Sequence, residues 1–427
     1  MTTWRLVRSF PVAVQVLLVN QLGVNIGFYL LIPYLAGYLG HDLGMSAALV
    51  GVVLGVRNLS QQGLFLLGGT AADRLGARGV IIAGCALRTV GFGLFALGTS
   101  LPILLVASIL SGLAGALFNP AVRSYLAQET GERRAEAFAL FTVFANTGAL
   151  IGPLLGSALV VIGFATSALV AALVFALLTL AQIAVLPSRP VPPARNTVLR
   201  DWRGVLGNKR FLMFTLALTG MFALQNQLYL VLPMEAARLT GSSGTVAAVF
   251  IVSTVTGLLL QVRITRFCQR KCSQSSAIAA GMGMMGLAFL ATVLGGLAIP
   301  DAPAALDLPE MLLRLSPVLV ATLVLTLGLL VAQPFVNDLI PSFGPNALSG
   351  TYFGVFYLAA GVTAAAGNAV IGRVSDVAAH PWAPSALCLG LGLASAAAVF
   401  VLHRNGLAGP EPTSKPGASA CTTMPTS

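Results

Sequence analysis

The 427-residue chain is built of long apolar runs separated by short polar breaks. A helix needs about 20 apolar residues to cross the hydrocarbon core of a bilayer, and the runs between charged or Pro/Gly-rich breaks number twelve. Period-two alternation is weak and the runs are unbroken, which argues against a membrane barrel. The pattern therefore predicts an all-α membrane protein with twelve transmembrane helices. Polar side chains inside the runs are few and clustered. The first run, about 10–39, carries Asn20, Gln21, Asn25 and Tyr29, and the second carries Arg57, Asn58, Ser60, Gln61 and Gln62. The third carries Arg88, the seventh Gln225, Asn226, Gln227 and Tyr229, and the tenth Gln333 and Asn337 with Asp338 near its end. Gln21 and Asn25 share a helix face, as do Arg57 and Gln61. An arginine at the centre of a membrane helix costs roughly 2.5–3.5 kcal/mol on insertion scales, so Arg57 and Arg88 are expected to face protein or water. Arg57 suits a substrate or coupling role as well as a buried hydrogen-bonding one; a structural network is favoured for Arg88.

Composition sharpens this picture. With 57% hydrophobic residues, 9% charged residues and a mean hydropathy of +0.90, the chain lies far outside the soluble range. The net charge of +11 would suggest nucleic acid in a soluble protein, but its placement follows the positive-inside rule. If the N-terminus is cytoplasmic, nearly all lysines and arginines fall on cytoplasmic segments. Arg238, Arg314 and Arg373 fall outside, and Arg57 and Arg88 lie within spans. The partner this implies is a lipid bilayer, not nucleic acid, with both termini cytoplasmic and residence in the cell inner membrane. The first run carries amides and no small-residue cleavage site, so it reads as a span and not a signal peptide. None of Cys85, Cys268, Cys272, Cys388 and Cys421 falls in an extracytoplasmic loop, so free thiols are expected. Cys268 and Cys272 have no histidine nearby, and no metal site is expected. His41, His380 and His403 sit at or beyond span ends, and no nucleophile constellation or phosphate loop is present. The chain is expected to be no enzyme, to need no cofactor and to be no self-contained ATP-driven pump.

Two motifs carry more specific chemistry. Between the second and third runs, a charged turn holds Gly69, Asp73, Arg74, Gly76 and Arg78. These match the G-x-x-x-D-R-x-G-x-R/K signature of the major facilitator superfamily, with Ala71 where leucine is usual, and the chain is identified as resembling that superfamily. In the fifth run, Gly148, Gly152, Pro153 and Gly156 resemble its antiporter motif, with Ser157 in place of the final glycine. The residues around 51–78 resemble the bacterial multidrug-resistance branch. The resemblance implies the major facilitator fold and a conformational latch at the charged turn, to which Arg123 is expected to reach. Glycines would let helix ends approach there, and the aspartate would be held by a neighbouring helix N-terminus. The antiporter motif implies a small-residue stripe against a facing helix, a proline bend and export. In the fourth span Ser108 and Ser111 precede Gly112 where the family usually has an arginine, which puts its usual coupling arginine in doubt.

The halves repeat one another: Asn119-Pro120 is echoed by Gln333-Pro334, as expected of a two-bundle transporter. The predicted organisation is two pseudo-symmetric six-helix bundles. The first spans 1–186 and is followed by a cytoplasmic linker at 187–210; the second spans 211–403 and is followed by a disordered cytoplasmic tail at 404–427. The function this supports is proton-coupled export of small amphipathic or drug-like compounds by a monomer. Export of one endogenous metabolite or siderophore, and a non-transporting sensor on the same scaffold, stay open as alternatives. Candidate substrate-binding residues are Gln21, Asn25, Tyr29, Arg57, Gln61, Gln225, Asn226, Tyr229, Gln333 and Asn337. No carboxylate lies at the middle of a span, which leaves Glu235 and Asp338, with Asp73, as proton-coupling candidates.

Overall fold

The computed structural model describes residues 3–160, 162–189, 196–241, 245–300, 307–378 and 380–405. The expected disordered tail lies almost wholly outside them. A short α1 (Thr3–Arg8) precedes α2 (Val12–Gly37), which runs into a π-helical turn at Tyr38–Asp42. Then come α3 (Ala47–Gly63), α4 (Phe65–Leu75), α5 (Ala77–Leu97), α6 (Leu101–Thr130), α7 (Arg134–Val160) and α8 (Phe164–Val185). The linker contributes α9 (Val198–Gly207). The second half has α10 (Lys209–Ala217), α11 (Thr219–Asn226), α12 (Val231–Thr240), α13 (Val246–Lys271), α14 (Gln274–Ala298), α15 (Leu308–Leu339), α16 (Ser349–Val377) and α17 (Ala383–Arg404).

The short polar breaks start the helices that follow them. Ser46, Thr197, Asn208, Ser273 and Asp307 each accept a bond from the backbone N–H three residues on, at 3.1–3.4 Å, which satisfies one of the free donors of a helix start.

Ten helical stretches among the described residues are long and apolar enough to cross a bilayer, against the twelve expected. One of them, the 60-residue stretch Leu101–Val160, contains two helices, α6 and α7, joined through a tight turn at Gly131–Arg133. The stretch that holds Arg57, Gln61 and Gln62 is divided at Leu64, and neither α3 nor α4 is long enough alone.

Many leucines point outward, while alanines, glycines and phenylalanine rings fill the interior. On α8, Leu169, Leu173, Leu177 and Leu180 are more than half exposed, while Ala168, Ala171, Ala172 and Phe175 are buried. Apolar surface gains nothing by hiding from lipid, so helix association relies on close packing of small residues.

The helices sort into two bundles with matching internal contacts: α5 packs on α6 and α8 in the first, as α14 packs on α15 and α17 in the second. Pro120 and Pro334 lie inside α6 and α15 respectively. The bundles meet where α4 lies along α16 and where α7 lies along α13 and α15.

Candidate functional site

The charged turn is folded into a clasp between the bundles. Asp73, at the end of α4, accepts the backbone N–H groups of Gly350 (2.7 Å) and Thr351 (2.6 Å) and the Thr351 hydroxyl (2.7 Å). These are the free donors at the start of α16, where the helix dipole also favours a negative charge. Hydrogen bonds to a charged group contribute about 1.5–3 kcal/mol each, so this carboxylate outweighs any neutral contact nearby. Approach this close needs glycine on both sides. A Cβ on Gly69 would overlap the Gly350 carbonyl, and one on Gly350 would stand 2.5 Å from the Gly69 carbonyl. Gly76 turns the chain at φ +89°, a conformation that side chains disfavour.

Around the clasp, Arg74 bonds Asp201 and the Asn196 carbonyl, both at 2.7 Å. Arg78 donates to the Ile183 and Leu186 carbonyls at the end of α8. Trp202 of α9 donates its indole N–H to Thr70 Oγ1 at 2.7 Å. Further links cross between bundles at this end: the Ser124 and Ser349 hydroxyls at 2.6 Å, Gln128 to Ser349 at 3.2 Å, and Arg266 to Glu136 at 3.2 Å. Arg189 pairs with Glu129 at 2.7 and 2.9 Å, and those hydrogen bonds and that charge raise its guanidinium pKa above the ordinary value. Arg123 does not engage Asp73 as expected. It donates to the Asn119 carbonyl (2.9 Å) and lies 4.5 Å from the centre of the Tyr357 ring.

Gly148, Gly152 and Gly156 make one face of α7 smooth, and all three are pressed against α2. A Cβ would stand 2.5 Å from the Leu22 carbonyl at Gly148 and 2.7 Å from Tyr29 Cβ at Gly152, and would overlap the Leu30 carbonyl at Gly156. The Pro153 carbonyl accepts the Tyr34 hydroxyl at 2.6 Å, tying the bend to the same helix.

A cavity of about 630 Å³ lies between the bundles. The first bundle gives it Tyr29 of α2 with Asn146 and Pro153 of α7; the second gives Gln225 of α11, Phe250 of α13 and Gln333 of α15. Tyr229 also lines it, on the stretch between α11 and α12 where the chain leaves the helix. That break was not foreseen. Pro233 has no N–H to give to the Tyr229 carbonyl, and Asn226 and Gln227 turn their amides onto the Phe222 and Ala223 carbonyls. Non-helical backbone at membrane depth is tolerated where it lines a cavity or is buried in protein.

Of the ten expected substrate contacts, Tyr29, Gln225, Tyr229 and Gln333 line this cavity and the others do not. Gln21 is buried, and Asn25 bonds the Gln21 carbonyl on the side facing Gly148. Asn226 is held by Phe222, and Asn337 accepts the Tyr357 hydroxyl at 2.8 Å. Gln61 packs on Gly115 and accepts Arg57 at 3.3 Å. Arg57 itself lies over the Phe28 ring at 5.1 Å, one residue behind the wall at Tyr29. Arg88 is enclosed by the rings of Phe118 (5.2 Å) and Phe175 (5.5 Å), beside the pair formed by Gln182 with Asn20 and Cys85. Glu235 is paired with Arg238 at 2.8 Å and faces a separate pocket with His380. Asp338 accepts Gln274 at 2.6 Å. Sequence reasoning missed Thr142 and Asn146; their four-residue spacing toward Pro153 places them on one face of α7 and could have revealed them. Cys85, Cys268, Cys272 and Cys388 are free, Cys421 lies outside the described residues, and no metal-ligand cluster occurs among the described residues.

Residues 17–368 match the model of the Major Facilitator Superfamily. An uncharacterized MFS-type transporter of Mycobacterium tuberculosis (strain ATCC 25618 / H37Rv) is 40% identical over 404 residues, covering 93% of this chain and 94% of the relative. The multidrug resistance protein MdtH of Aeromonas hydrophila is 30% identical over 373 residues, covering 86% and 89%. Among solved structures, the human organic anion transporter MFSD10 superposes with a TM-score of 0.69 at 19% identity, over 91% of this chain and 98% of that one. A POT family transporter bound to a thioalcohol-conjugated peptide gives 0.67 at 16% identity, over 92% and 96%. At these identities the superpositions speak for the fold alone.

Proposed function

We propose, from the premise that this chain belongs to the Major Facilitator Superfamily, that it exports small amphipathic or drug-like compounds by proton antiport with alternating access. The observation that carries the reading is the cavity of about 630 Å³, walled on one side by α2 and α7 and on the other by α11, α13 and α15. A site divided between two bundles changes the side it faces when the bundles rock against each other. In this reading the Asp73 clasp keeps its end closed, and releasing it is the step that opens that end. The resemblance of Gly148, Gly152, Pro153 and Gly156 to the superfamily's antiporter motif supports export over import, as does the likeness to a multidrug resistance protein at 30% identity. In this reading twelve crossings place both termini and the Asp73 end on the cytoplasmic face of the inner membrane, and one chain suffices for transport. The bundles are residues 1–186 and 211–403, and the linker 187–210 braces the clasp through α9. Glu235 near the outer end and Asp338 near the inner end are the groups proposed to exchange protons.

The test is a growth-inhibition panel across chemically diverse toxins, comparing cells that overproduce the protein with cells that overproduce Asp73→Asn. Raised tolerance to a subset of toxins in the first strain alone is expected. Equal sensitivity of both strains to every toxin would count against export of such compounds.

A further inference from the structure

The first bundle contains two guanidinium groups with no acid beside them. Arg57 is 8% exposed and Arg88 is 5% exposed. Arg57 donates to Asn58 and Gln61, both neutral, and its Nε has no acceptor. Arg88 has no hydrogen bond among the described residues and is flanked by two phenyl rings. The acids considered for coupling have their contacts elsewhere: Asp73 at the start of α16, Glu235 with Arg238 and Asp338 with Gln274. The residues that line the central cavity are all neutral. Phe28, which lies under Arg57, is 5.1 Å from the ring of Tyr29 in the cavity wall. The cavity is thus an uncharged surface backed by uncompensated positive charge. With an effective dielectric near 20, a guanidinium about 10 Å away biases a unit charge by roughly one order of magnitude.

We propose that the compounds this cavity accepts are amphipathic anions, such as aromatic carboxylates or sulfonates, and that lipophilic cations are disfavoured. The inference rests on the reading of the cavity as the transport site and narrows its substrate class. Arg57 supplies the selectivity, being next to the wall; Arg88, closed in by rings, adds field without contact. The tyrosine and amide lining receives the ring-bearing part of the substrate, and the missing countercharge is supplied by the substrate itself.

Two xanthene dyes of similar size, the anionic carboxyfluorescein and the cationic rhodamine 6G, separate the possibilities. Their binding to purified full-length protein in detergent is measured by fluorescence anisotropy, and their counterflow by the same protein in liposomes. The anion is expected to bind at least tenfold tighter than the cation. Arg57→Gln should reduce anion affinity about tenfold and leave the cation unchanged or tighter, while Arg57→Lys should keep the preference. Equal or tighter binding of the cation would overturn the proposal, as would loss of anion binding in Arg57→Lys to the same degree as in Arg57→Gln. Absence of binding by either dye would overturn it too. Counterflow of the cation alone would sink the anion preference and leave transport standing. Anion binding without counterflow would sustain the preference and defeat the transport reading.

Discussion

Asp73 holds the start of α16 by accepting from two backbone N–H groups and one hydroxyl. An asparagine at this position has one acceptor oxygen in place of two and sets its amide N–H groups against backbone donors. Asp73→Asn should therefore cut export at least tenfold with normal membrane insertion, since about 1.4 kcal/mol is a factor of ten and each lost charged bond exceeds that. Thr351→Val removes one of the three bonds and keeps the carboxylate with both backbone donors, so it should cost about tenfold and less than Asp73→Asn. Export rates normalised to protein amount would compare the two, and full activity of Asp73→Asn would reduce the aspartate to surface solvation. The charged turn that holds Asp73 was legible because glycines and charges within ten residues carry the motif. Its partners were not, since Gly350 lies 277 positions away in a stretch with no charge or motif of its own. Arg123 shows the converse: the motif leads one to expect it at the Asp73 turn, whereas it lies over the ring of Tyr357 in the other bundle, a partner that no local pattern announces.

At the scale of helices, glycine spacing was readable and backbone breaks were not. The α7 stripe is set by residues four apart and needs nothing from the rest of the chain, whereas the opening between α11 and α12 depends on Pro233, on amides that turn to their own backbone, and on a cavity that only tertiary packing creates. The same contrast yields a test. Gly156→Leu would drive a side chain into the Leu30 carbonyl, and overpacking of this kind costs about 1–3 kcal/mol or more. A lowered melting temperature in detergent and loss of export are expected. Gly93, on α5, faces open space, and a Cβ there would meet nothing within 4 Å; Gly93→Ala should keep export intact and raise stability by up to about 1 kcal/mol through helix propensity. Equal behaviour of the two variants would mean that the α2–α7 contact is not close in the membrane.

For the whole molecule, the two-bundle architecture was legible in hydropathy and in the Pro120/Pro334 repeat, and the orientation proposed above rests on charge placement. A reporter fused near Arg200, in the most basic linker, should report the cytoplasmic side; an extracytoplasmic signal would invert the proposed direction of transport. Coupling was least legible, because no acid occupies the middle of a span and the family pattern gives no substitute. Glu235 is buried and paired with Arg238 at 2.8 Å in a pocket of about 190 Å³ that also contains His380. Protonating the carboxyl would weaken that pair, and substrate binding in the separate central cavity would have to favour one of the two states for protons and substrate to be exchanged. In liposomes, substrate added to the wild type should evoke proton movement in the opposite direction, and Glu235→Gln, which mimics the protonated state permanently, should bind substrate but move it without protons. A wild type that moves substrate with no proton flux would be a uniporter or use another ion. If Glu235→Gln couples normally, the pair with Arg238 is structural and the exchange passes to Asp338, where the same measurement on Asp338→Asn decides.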